Sequence, residues 1–103
     1  LKNLSELSAS GDDLVLRSLA LFEKHAREEM IRLATAFKSR NIQEIASAAH
    51  ALKSMSFNLG ARMLGEASAS VERSAANLAA LPSLLRELRA SYQATQLDIP
   101  VVR

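Results

Sequence analysis

The sequence predicts an all-α protein, an antiparallel up-down-up-down four-helix bundle with a short N-terminal helix. Three observations lead there. Aromatic residues are only 4% and tryptophan is absent, while alanine, leucine, serine and charged residues dominate, a mix that favours helices over sandwiches or barrels. Apolar residues recur at spacings of three and four, the period of a helix with one buried stripe. The connections between the periodic segments are short, as antiparallel neighbours require.

With 103 residues and 49% hydrophobic content, the chain suffices for one core and one domain. Residues 1–103 are read as that domain, with a core over about 12–96 and an extended or frayed tail over 97–103. Leu4 to Ala9 is expected to form the short first helix, stopped at Ser10 and Gly11, with Asp12 capping the next. From Asp13 to about Ser39, the residues Leu19, Phe22, Ala26, Met30, Leu33 and Phe37 fall on one stripe, and Leu14 with Leu21 forms a second flank that would receive the N-terminal helix.

Arg40-Asn41 reads as a tight turn, with Asn41 capping and Glu44 three residues on. The helix beginning at Ile42 should run to about Leu59 and end at Gly60, the residue suited to a left-handed C-terminal turn. A third long helix is expected from about Arg62, its stripe being Leu64, Ala67, Val71, Ala75 and Leu78. After a loop near Leu81, Pro82 fits a first helical turn, and the last helix carries Leu84, Leu85, Leu88 and Tyr92. Pro100 bars any helix from the tail and favours an extended Ile99.

Composition also excludes. No cysteine is present, so disulfides and thiolate metal sites are impossible and a reducing compartment, the cytoplasm, is expected. No apolar run approaches the roughly 20 residues that span a bilayer, so no membrane contact is expected. The formal net charge of +2 arises from 13 basic and 11 acidic residues scattered along the chain, which argues against nucleic acid as a partner. Three glycines could hardly build a nucleotide-binding loop, so ATP is not expected as a direct ligand. The two histidines lie 25 positions apart without the paired pattern of a metal-binding bundle, so no metal site is expected. The opening Leu1, in place of an initiator methionine, suggests a mature fragment or an excised domain.

The informative stretch is AHALKSMSFNLGA, residues 49–61. At about 100° per residue, Ile45, Ala48, Leu52, Met55, Ser56 and Leu59 cluster on one side, and His50 points about 160° from their mean. The imidazole should therefore face solvent. Gln43, Ala46, Ser47, Lys53, Ser54 and Phe57 share its side. Small alanine and serine side chains let a partner approach the ring, and Phe57 offers an apolar anchor; the competing reading folds Phe57 inward over the helix end. Lys53, one turn after His50, can reach a phosphoryl group on the ring and offset its charge. Imidazole is a capable nucleophile near neutral pH and can carry such a group covalently. His25, amid Glu23, Lys24, Arg27 and Glu28, has no such surroundings and reads as a solvated surface residue.

Ala49, His50, Leu52, Lys53, Gly60 and Ala61 together resemble the motif A-H-x-L-K-G-x-x-x-x-x-G-A of histidine-phosphotransfer (HPt) domains of bacterial two-component phosphorelays. The resemblance runs from Leu14 to about Leu88. It implies a phosphorylated His50 that exchanges phosphate with the aspartate of response-regulator or hybrid-kinase receiver domains. No cofactor is then expected in this domain and no small molecule as its substrate, with Mg²⁺ held by the receiver. An adaptor that binds receivers without carrying phosphate is the alternative. The domain would be free-standing or the cytoplasmic part of a larger sensor kinase. By the same resemblance Glu72 matches the position that orients the imidazole, although it could equally pair with Arg73 or Arg62. Its phase, about 100° from its stripe's centre, puts it at the border facing the His50 helix. Two departures are plain: Ser54 stands where the family usually has glycine, and Ala76 where some members carry an arginine, for which Arg73 is a candidate substitute.

Overall fold

The computed structural model describes the backbone of residues 2–98, and the side chains of residue 14 and residues 16–96. Among these residues there are four helices and no strand: α1 (Lys2–Lys38), α2 (Ile42–Leu59), α3 (Arg62–Arg73) and α4 (Leu81–Asp98). None is long and apolar enough to cross a membrane.

The separate N-terminal helix is not found. α1 continues through Ser10 and Gly11 without a break, because glycine in a helix interior costs only about 1 kcal/mol and, unlike proline, blocks no hydrogen bond. Leu14 and Leu21 are accordingly exposed instead of receiving a folded-back segment. Among the described side chains, the buried stripe of α1 includes Phe22, Ala26, Leu33 and Ala36, with Met30 and Phe37 packed against it.

The turn into α2 forms as its residues dictate. Arg40 adopts a left-handed φ of 56°, and Asn41 caps α2 by accepting a hydrogen bond from the Glu44 backbone N–H at 3.1 Å. At the other end Gly60 takes φ 89°, and the Ala61 N–H closes the turn on the Ser56 carbonyl at 2.8 Å. Ile45, Ala48, Ala49, Leu52 and Ser56 are the buried face of α2; Leu59, expected among them, is exposed at the last position of the helix.

α3 is shorter than its apolar spacing suggests. It ends at Arg73, yet Ala75 is buried and Leu78 packs on the core from the connection. The Asn77 side chain organises that connection, accepting from the Ala80 N–H at 3.2 Å. α4 starts at buried Leu81, so Pro82 does occupy its first turn, and Leu88 faces the core. Leu97 and Asp98, read as tail, belong to α4, while residues 99–103 lie outside the described residues.

α2 packs on α1 and on α3, and α3 packs on α4. A shared core of Leu33, Ile45, Leu52, Leu64, Val71, Leu81 and Leu88 joins all four helices. Between α1 and α4 an open cleft of about 760 Å³ remains, its lining including Ile31, Phe37, Leu85 and Tyr92.

Candidate functional site

His50 sits at mid-helix on α2, on the side opposite the buried face, with its side chain 59% exposed. Its Nδ1 lies 3.0 Å from Glu72 Oε2 on α3. The other carboxylate oxygen, Oε1, accepts from Lys53 Nζ at 2.8 Å. One carboxylate thus serves two donors, and among the described residues Nε2 is the ring nitrogen left unengaged. A carboxylate on Nδ1 favours the tautomer with the proton there, which leaves the Nε2 lone pair free.

Glu72 is 28% exposed and Lys53 30%, so the pair is sheltered at the α2–α3 seam without being removed from water. The Lys53 ammonium, and after it the hydrogen bond to His50, hold the Glu72 carboxyl below the usual carboxylate range, against partial burial that opposes the shift. Glu72 pairs with His50 and Lys53, whereas Arg62 pairs with Glu66 and Arg73 donates to Ser70 Oγ.

The remaining expected positions separate into three groups. Gln43 and Ser54 are exposed, as a surface role requires, and Ser54 stands one turn beyond His50. Ala46 is half-buried against the core. Ser47 is exposed but engaged: Arg32 on α1 donates to its Oγ at 2.6 Å. The same guanidinium bonds Glu44 at 2.7 Å and Glu29 at 2.8 Å, which lowers the Glu44 carboxyl from its usual value. This Arg32 hub ties α1 to the N-terminal half of α2 and was not legible in the sequence; charge complementarity with Glu44, twelve residues away, was the available signal.

Phe57 answers both readings in part. Its side chain remains 46% exposed, yet the Cδ1–Cε1–Cζ side of its ring packs directly on Gly65 of α3. A Cβ at Gly65 would come within 2.7–2.9 Å of three ring carbons. Ala76 is exposed in the connection after α3. His25 is exposed on α1. Among the described residues no three histidine, aspartate or glutamate side chains gather as a metal site would need.

The chemistry open to this arrangement is that of an exposed, oriented imidazole with a cation one turn away. Comparison with curated proteins found no match, and comparison with solved structures found none either. Comparison with protein families did: residues 17–97, more than three quarters of the chain, match the family model of the Hpt domain. With its helical architecture and a histidine presented in this way, the chain belongs to the Hpt domain family.

Proposed function

We propose that this domain is a phosphorelay intermediate that carries a phosphoryl group on His50 Nε2 and exchanges it with the aspartate of response-regulator receiver domains. The observation that carries the reading is the His50–Glu72–Lys53 arrangement, in which one carboxylate orients the imidazole and anchors the neighbouring ammonium. The Nε2 lone pair attacks phosphorus of the receiver's aspartyl phosphate; the N–P bond forms as the P–O bond breaks, and the aspartate leaves with the electron pair. Positive charge left on the ring is balanced by Glu72 through the Nδ1 proton. The reverse step returns phosphate to a second receiver.

Lys53 starts the cycle on Glu72 Oε1. Its flexible stem lets it turn toward the incoming phosphoryl oxygens, which compete for the same ammonium. Mg²⁺ belongs to the receiver in this scheme, and the domain needs no cofactor of its own. The receiver docks over Gln43, Ala46, Ser47, Ser54 and Phe57. An up-down-up-down antiparallel course of the helices, and a cytoplasmic setting, complete the reading. Two cross-helix pairs support the antiparallel course: as α2 advances from His50 to Phe57, its partner on α3 recedes from Glu72 to Gly65.

The test is radiolabelled phosphotransfer from a phosphorylated receiver to the wild-type chain and to His50→Gln. Acid-labile, alkali-stable label is expected on the wild type and absent from the folded variant. Label that persists on His50→Gln overturns the assignment. A folded wild type that binds receivers and takes no label identifies an adaptor instead.

A further inference from the structure

Phe57 and His50 are seven residues apart on α2, and Gly65 and Glu72 seven apart on α3. Seven residues are nearly two full turns, so each pair differs by only about 20° in direction and lies roughly 10 Å apart along its helix. The contacts Phe57 on Gly65 and His50 on Glu72 are therefore two rungs of the same seam. Between them, α3 offers Ser68, which is buried and bonded to its own helix at Leu64 O (2.7 Å), and the half-buried Ala69.

The upper rung depends on a missing side chain. With a Cβ at position 65 the nearest Phe57 ring carbons would be met at 2.7–2.9 Å, closer than real carbon contacts permit. The backbone of α3 is fixed by its packing, so the ring would have to swing away. Gly65 is also costly where it stands, since glycine in a helix interior disfavours the helix by about 1 kcal/mol relative to alanine. Nothing in its backbone demands glycine, because no left-handed φ occurs there. The Phe57 ring approaches closely into that vacancy.

We infer that Gly65 is a positioning residue for partner docking: it lets the Phe57 ring pack closely on α3 as an apolar plate in register with His50, presented to an apolar side chain of the receiver. The inference rests on the phosphorelay reading above and adds to it the residue that sets the plate. Aromatic anchors at the centre of small interfaces carry a disproportionate share of binding. A ring held against a neighbouring helix gives up little rotamer freedom when a partner arrives.

The experiment is a double-mutant cycle on the full chain with Gly65→Ala, Phe57→Ala and the two combined. Each protein is loaded on His50 with phosphoramidate, a small donor that needs no docking surface. It then transfers to an isolated receiver domain, with Mg²⁺, chosen because it accepts phosphate from the wild type. Loading should stay within about twofold of wild type, because no plate is needed. The KM for the receiver should rise about five- to tenfold in either single variant, with kcat within about twofold. The combined variant should be no worse than Phe57→Ala.

Multiplying effects, or a wild-type KM in Gly65→Ala, overturn the inference. Should Gly65→Ala not fold, the wild type still decides: on titration with unphosphorylated receiver, the Phe57 ring and Gly65 Hα NMR signals must move together, and signals that stay still overturn it. Failure of His50 to load, or of every receiver to accept phosphate from the wild type, is instead failure of the phosphorelay reading and removes the inference with it.

Discussion

Glu72→Gln keeps the shape of the site and removes one property, the ability of a single group to accept from both His50 and Lys53. A glutamine has one carbonyl oxygen for two donors 3.0 and 2.8 Å from the present carboxylate. If that oxygen stays on Lys53, the amide nitrogen faces His50 Nδ1 and favours the opposite tautomer, with the proton on Nε2 where the lone pair is needed. A hydrogen bond to a charged group contributes about 1.5–3 kcal/mol, and about 1.4 kcal/mol is a factor of ten in rate. Loading of His50 should therefore slow about 10- to 100-fold. Stability should change far less, because ion pairs still in contact with water are worth about 0–1 kcal/mol. The melting temperature should fall by no more than about 8 °C in a chain of this size.

The assays are phosphoramidate loading kinetics, thermal melting by circular dichroism, and ¹⁵N NMR of the imidazole to read the tautomer. Loading within twofold of wild type, with the tautomer unchanged, would refute the reasoning. Glu72 is lowered in the folded chain, so its contribution is complete above the usual carboxylate value of 4.5 and is lost as pH falls through the lower folded value. The stability difference between wild type and Glu72→Gln should close on acidification below about pH 4.5 and stay constant above it.

Lys53→Ala should slow transfer to a receiver while helical content and melting temperature change little; unchanged transfer rates would count against its role. Leu52→Ala removes a fully buried side chain from the centre of α2 and should cost about 2–5 kcal/mol in urea unfolding, whereas a cost under 1 kcal/mol would mean that the core closes over the gap. Gly60→Ala meets no neighbour, so its cost, about 1–2 kcal/mol, should come from the left-handed backbone alone; a neutral result would show that the turn relaxes to another conformation.

Much of this site could be read before any coordinates. The outward direction of His50 follows from the phase of Ile45, Ala48 and Leu52, and both ends of α2 follow from Asn41 and Gly60, because these are local rules. What escaped depends on how one helix registers against another. The sharing of Glu72 between His50 and Lys53 requires a carboxylate twenty-two residues from the ring to arrive at one height on the seam. The Phe57–Gly65 contact is of the same kind, although an interior-helix glycine with no turn to make was a signal available for it. Two errors have local causes. Ser10-Gly11 weakens a helix without ending it, and the three-four spacing continues through Ala75 and Leu78 because the connection after α3 also turns those side chains inward.

The cleft between α1 and α4 has a practical consequence for experiment. Its lining among the described residues comes from those two helices, whereas His50, Lys53, Phe57, Gly65 and Glu72 belong to α2 and α3. A solvent-sensitive fluorophore on exposed Gln93, beside Tyr92 in the cleft wall, would sit on a helix that carries none of these residues. Such a reporter could follow breathing of the α1–α4 cleft through the proposed phosphorylation cycle while leaving the surface proposed for receiver docking untouched.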